Sequence, residues 1–213
     1  MITNMTNKKL LQKLEEWGID YEVLKHKTVY TAHDVAATLR KRLNEIAKTL
    51  IIQADKDFYL VSLPADKNVD FKKLKVAIKK AGGSVKSLSI PNEKVIMKKL
   101  GIKPGSVSAF SKFHKLPHII DKDIKKVKKI VVSGGDVAES IALKLSDWLK
   151  VEAAMLEVIG QKKVKGQKSK VKAASKKSKK VIKKIRPKKS LKKKTVKRNT
   201  TKKVNKRMAK RRI

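Results

Sequence analysis

Apolar residues recur along this chain at helical spacing in some stretches and in short continuous runs in others, and the switches mark out its elements. Leu10, Leu11, Leu14 and Trp17 fall on one helical face, with Gly18 placed to cap its C-terminus. Tyr21 to Leu24 reads as a short strand. Thr31 can cap a second helix through Val35, Ala36 and Leu39. Ile46 to Gln53 and Phe58 to Leu63 predict two strands joined by the polar turn Ala54-Asp55-Lys56-Asp57. Asp70 then caps a helix with Phe71, Leu74, Ile78 and Ala81 as its apolar face, ending at Gly82-Gly83. After Pro91 a short helix runs through Val95, Ile96 and Leu100 and stops at Gly101.

A Gly/Ser-rich loop, Pro104 to Phe110, follows. Short strands are predicted at His118 to Ile120, Lys129 to Ser133 and Ser140 to Leu143, and Trp148, Val151, Met155 and Ile159 predict a closing helix. Strands in mixed order with helices, and no regular strand–helix–strand repeat, predict an α+β domain over residues 1–160.

The pattern ends there. Residues 161–213 hold 27 Lys or Arg and no Asp or Glu, so they supply +27 of the formal +39. The first 160 residues carry the other 30 basic residues and all 18 acidic ones, a surplus of +12. A segment so charged cannot bury enough apolar surface to offset its ordering entropy, so it is expected to be disordered in isolation. Its Lys-rich clusters resemble the tails of linker histones and bacterial histone-like proteins. The expected partner is a nucleic acid, RNA or DNA, held at its phosphates by Lys162, Lys163, Lys176, Lys177, Lys183, Lys184, Arg186, Lys192, Lys193, Lys194 and Arg198. With few aromatics and no helical period, the segment has no means of reading a base sequence.

The chain has no Cys, which excludes disulfides, thiolate metal sites and a cysteine nucleophile. The N-terminal run MITNMTNKKLLQKLEEWG turns charged before an apolar stretch of signal-peptide length develops. No window approaches 18 uninterrupted apolar residues. A soluble, cytoplasmic protein is expected, with ribosome or nucleoid association through the tail.

Known catalytic signatures are mostly missing: no GxSxG elbow, no P-loop, no GxGxxG. His114 and His118 are four apart, but Pro117 between them disfavours the helix a metal pair would need, so no metal is expected. Asp121 and Asp123 read as turn residues. Ser133-Gly134-Gly135-Asp136 could cradle a phosphate, but between two strands a plain hairpin is the simpler reading. Lys48 shares a strand face with Ile46, Leu50 and Ile52. Either its stem lies along the core with its head in water, or the ammonium sits in a partly dry pocket to fix a phosphate or carbonyl oxygen. Gly101 to Phe110 is either a plain turn or a loop whose backbone N–H groups approach a ligand closely.

Four words in register carry a resemblance: HKTVYTAHDVA (His26 to Ala36), EIAKTLII (Glu45 to Ile52), YLVSLPADKNVDFKKLK (Tyr59 to Lys75) and GIKPGSVSAF (Gly101 to Phe110). It extends through VVSGGDVAESIALKLSDWL. From Leu10 to Leu149 the chain resembles the YbaK / prolyl-tRNA synthetase-associated domain family, which includes free-standing aminoacyl-tRNA deacylases. The resemblance implies a mixed, β-barrel-like sheet flanked by helices and hydrolysis of the ester between a wrong amino acid and the 3′ end of tRNA, with no cofactor. It places the family's strand lysine on Lys48 and its glycine loop on Gly105 to Ala109. Lys48, Gly105 and Ser106 are then the expected catalytic groups, with Thr31, Ser108, Ala109 and Gly135 at the substrate. Ala109 stands where the family usually has Pro, which leaves the loop backbone less constrained and puts substrate identity in doubt. Two functions follow. One is an editing hydrolase tethered to tRNA by its tail; the other is a nucleic-acid-binding or DNA-compacting protein carrying an inactive domain of this type.

Overall fold

The computed structural model describes residues 5–162 except 104 and 106. Its elements run α1 (Met5–Glu16), β1 (Tyr21–Lys25), α2 (Ala32–Thr38), β2 (Ala47–Ala54), β3 (Asp57–Pro64), β4 (Lys67–Val69) and α3 (Phe71–Lys80). They continue with β5 (Leu88–Ser89), α4 (Glu93–Leu100), α5 (Ser111–His114), β6 (His118–Asp121), β7 (Lys129–Ser133), β8 (Glu139–Lys144), α6 (Leu145–Val151), β9 (Met155–Glu157) and β10 (Gly160–Lys162). Local chemistry sets many of the ends. The Thr31 side chain accepts from Asp34 N, that of Asp70 from Lys72 N and Lys73 N, and that of Asn92 from Val95 N. Each cap is worth about 1 kcal/mol. Gly101 ends α4 in the left-handed conformation at φ 68.

The class is α+β. One sheet has the order β5-β2-β3-β6-β9, antiparallel from β5 to β3 and parallel from β3 to β9. A second, β1-β8-β7, is antiparallel. An isolated parallel bridge between Ile46 and Val131 joins the two, giving a mixed sheet that is barrel-like but open. Helices cover both faces, so β2 buries residues on each. Ala47 packs with Phe110, Ile120, Val132 and Trp148, together with Leu10 and Leu14 of α1. Ile46 packs with Val131, Ala65 and Ala36 of α2, and Ile52 packs with Leu74 and Ile78 of α3.

The expected strands are present, though Ile46 itself precedes β2 and bridges to Val131 instead. Phe71, expected on the apolar face of α3, is half-exposed, and Ala77 takes the buried position beside Leu74 and Ile78. The single closing helix through Trp148, Val151, Met155 and Ile159 is not formed. Helix α6 ends at Val151, and the chain turns at Glu152, whose carboxylate is buried. Residues Met155–Glu157 then pair with β6, and Gly160–Lys162 with β4. Helical spacing was there, but two unpaired sheet edges claimed the backbone. Strand β10 carries the ordered fold through Gln161 and Lys162, two residues into the segment read as tail. Gly160 fits because a Cβ there would meet Lys67 Cδ at 2.6 Å and Asp121 Oδ2 at 2.9 Å.

Candidate active site

Three loops meet at one edge of the β7–β8 hairpin. The glycine loop crosses it, with Ser108 in an antiparallel bridge to Gly134 and Ala109 N donating to Ser133 O at 3.1 Å. Ser133 Oγ donates to Val107 O at 2.9 Å and accepts from Gly135 N at 3.2 Å. Gly105 stands at φ 78, where a Cβ would lie 2.7 Å from Val137 Cγ1. The third loop is fixed by His26 N donating to Ala138 O and Val29 N donating to Val137 O, both at 2.9 Å. Thr31 follows Val29 by two residues, at the start of α2.

Gly105, Ser108, Ala109 and Gly135 are thus brought together. Their side-chain roles differ from the expectation, however. Ser108 and Ala109 are fully buried. Ser108 N donates to His114 Nε2 at 3.0 Å, and its hydroxyl lies 2.9 Å from the same nitrogen. The Ala109 carbonyl accepts from the Trp148 indole N–H at 3.1 Å. As placed, both residues shape the loop from behind and offer no side chain to a ligand. The Thr31 hydroxyl donates to Asp34 Oδ2 at 2.7 Å as part of its cap. Ser106 lies outside the described residues. So do Lys163, Lys176, Lys177, Lys183, Lys184, Arg186, Lys192, Lys193, Lys194 and Arg198, while Lys162 is exposed at the end of β10.

Lys48 is half-buried on the face of β2 that it shares with Ile46. Its ammonium donates to the Lys67 carbonyl and lies 3.5 Å from Asn68 Oδ1. The head therefore neither reaches free into water nor stands in an empty pocket, but rests on β4. Strand β4 is itself anchored. Lys67 Nζ pairs with Asp123 and with Asp121 Oδ1 at 3.2 Å. Burial alone would lower the Lys67 ammonium, but the two carboxylates outweigh it and hold it above the ordinary lysine value. Asp121, fully buried, also accepts from Ile159 N and Gly160 N.

Behind the loop lies a set of buried polar groups that the residue pattern alone does not reveal. His118 Nδ1 lies 2.6 Å from Glu152 Oε2, and His118 Nε2 lies 2.9 Å from Ser62 Oγ. The residue types are those of a hydrolase triad, but Ser62 is 0% exposed, which closes its oxygen to any ester. The visible signal was Ser62 itself, a lone polar residue within the apolar run of β3.

The glycine loop and the turn of the β7–β8 hairpin are therefore in contact, while Lys48 is held on β4. The chain belongs to the aminoacyl-tRNA editing domain family, whose model matches residues 26–151. Among curated proteins it is similar to the prolyl-tRNA editing protein ProX of Acetoanaerobium sticklandii, at 27% identity over 151 residues, covering 68% of this chain and 89% of that one. Its fold is similar to that of a crystallised putative trans-editing enzyme for prolyl tRNA synthetase (TM-score 0.60, 18% identity, 74% of this chain and 98% of that one). It is equally similar to a crystallised hypothetical protein (TM-score 0.61, 20% identity, 72% and 99%).

Proposed function

We propose that this chain is an aminoacyl-tRNA deacylase that acts in trans, hydrolysing the ester between a wrong amino acid and the 3′ end of a tRNA. The carrying observation is the family match over residues 26–151, which contains Lys48, Gly105 and Gly135. The meeting of the Gly105 loop with the 133–139 hairpin adds support.

An aminoacyl ester is already activated, so positioning and charge stabilisation suffice. Water adds to the carbonyl carbon, and negative charge develops on the carbonyl oxygen. Backbone amides near Gly105 stabilise that oxygen, since those of Ser108 and Ala109 already donate to His114 and Ser133. Lys48 leaves the Lys67 carbonyl to hold the terminal phosphate or the same developing charge. The ester C–O bond then breaks, the ribose oxygen takes a proton, and free amino acid and tRNA are released. Ala109 in place of the usual Pro alters which amino-acid side chain the site admits.

Residues 161–213 tether the enzyme to its substrate, and through ribosomal RNA or DNA to ribosome or nucleoid in the cytoplasm. Holding tRNA at its phosphates raises the local concentration of the aminoacyl end. The second reading is a nucleic-acid-binding or DNA-compacting protein with a retired site, and it is favoured by the engagement of Lys48 with the Lys67 carbonyl. Deacylation assays on a panel of mischarged tRNAs separate the two: release of amino acid supports the first, and binding with no release on any tRNA supports the second.

A further inference from the structure

Five polar groups from five separate segments are bonded end to end inside the molecule. Thr49 Oγ1 of β2 lies 3.1 Å from Ser62 Oγ of β3, which lies 2.9 Å from His118 Nε2 of β6. His118 Nδ1 lies 2.6 Å from Glu152 Oε2, and both Glu152 oxygens accept from Ser111 N, at 3.1 and 2.9 Å. Ser62, His118, Glu152 and Ser111 are all buried. With the Glu152 carboxylate as acceptor, His118 Nδ1 carries the proton and donates. In the neutral ring Nε2 then accepts from the Ser62 hydroxyl, which accepts in turn from Thr49. The hydrogen bonds run from Thr49 through Ser62 and His118 to Glu152, and the Ser111 N–H donates to the same carboxylate from the other side.

Folding stability does not account for this. Replacing both partners of a buried polar contact by apolar groups of the same shape is often nearly neutral or stabilising. What a fully satisfied buried network does is hold one arrangement of the segments it joins. Its two ends are informative. Thr49 directly follows Lys48, and Ser111 directly follows Phe110, the last residue of the glycine loop. Trp148, from the helix that delivers Glu152, holds the Ala109 carbonyl in the same loop.

We propose that the chain Thr49–Ser62–His118–Glu152–Ser111 is a positioning device that sets the strand carrying Lys48 against the glycine loop. Ser62, His118 and Glu152 touch no substrate; they are positioning residues. The consequence for turnover rests on the deacylase reading, while the coupling of strand to loop does not.

The test uses the full chain with Thr49→Val, which keeps the shape and removes the hydroxyl, and Thr49→Ser, which keeps the hydroxyl. Amide and indole NMR resonances give the first measurement. Thr49→Val is expected to shift the Ser111 amide and the Trp148 indole N–H, at the far end of the network, and Thr49→Ser to leave both in place. Deacylation gives the second. Thr49→Val lowers kcat about tenfold with KM within twofold, as a displacement well under 1 Å would. Glu152→Gln does likewise, and the double variant loses no more than the worse single one, because the two substitutions interrupt one device. An unmoved Ser111 amide in Thr49→Val, equal losses in Thr49→Ser, or losses that multiply in the double variant would each overturn the proposal. If the unsubstituted chain hydrolyses no mischarged tRNA, the deacylase reading fails, and the NMR arm alone decides the coupling.

Discussion

The ammonium of Lys48 donates to the backbone carbonyl of Lys67, a residue whose own side chain is clamped by Asp121 and Asp123. The expected catalytic lysine therefore rests on a fixed acceptor. Lys48→Ala removes the hydrogen bonds of the ammonium to Lys67 and Asn68, so its cost in stability is about 1–2 kcal/mol. Its cost in turnover is about 100-fold or more, if the cation stabilises charge in the transition state. Thermal unfolding and kcat measured on the same preparation check this: a large loss of stability with kcat preserved would assign Lys48 to the scaffold.

Gly105 provides a second test, confined to the loop. Its left-handed backbone disfavours any Cβ, and the space is taken by Val137. Gly105→Ala should cost about 1–2 kcal/mol in stability from the backbone conformation alone. Hydrolysis should fall further than that loss explains, because the loop would move off the 133–139 hairpin. Pairing Gly105→Ala with Val137→Ala, which clears the contact, should restore part of the activity without restoring the strain.

Acid should weaken the fold in the region of histidine titration. Burial holds the His114 imidazole below its ordinary value of 6.5, opposed by the nearby Glu152 carboxylate. A histidine with a lowered value in the fold binds its proton more readily when unfolded. Its contribution is therefore complete above pH 6.5 and is lost as pH falls from there through the folded value. Protonation also turns Nε2 into a donor, which ends its acceptance of the Ser108 N–H. Unfolding midpoints measured from pH 7.5 down to 5 should drop, and His114→Gln should flatten that part of the curve.

The cationic segment should act through phosphates alone. If it neutralises about 8 phosphates of a single strand, the plot of log affinity against log salt has a slope of about −6. Full chain and a version ending at Lys162 should differ by that slope, with little dependence on base sequence. A salt-independent affinity in the full chain would contradict electrostatic tethering.

What could be read from the sequence was local. Thr31, Asp70 and Gly101 mark helix ends because a cap needs only residues within the next turn. The β2–β3 hairpin was visible for the same reason. Strands β9 and β10 were not, because Trp148, Val151, Met155 and Ile159 keep helical spacing and the edges they join belong to residues far earlier in the chain. The buried network was equally hidden: Ser62 and His118 are 56 positions apart, and His118 and Glu152 are 34 apart. The histidines four apart were conspicuous, but their partners were not, so His114 behind Ser108 and His118 beneath Glu152 were left without a role.

The most direct test of the deacylase reading is single-turnover hydrolysis of a panel of mischarged tRNAs, beginning with alanyl- and cysteinyl-tRNA(Pro), by the full chain and by its Lys48→Ala variant at moderate salt. The account predicts release of amino acid from at least one of these by the unsubstituted chain, and a rate close to that of buffer alone for the variant. Release that is undiminished by Lys48→Ala, or none from any tRNA of the panel while the chain still binds them, would contradict it.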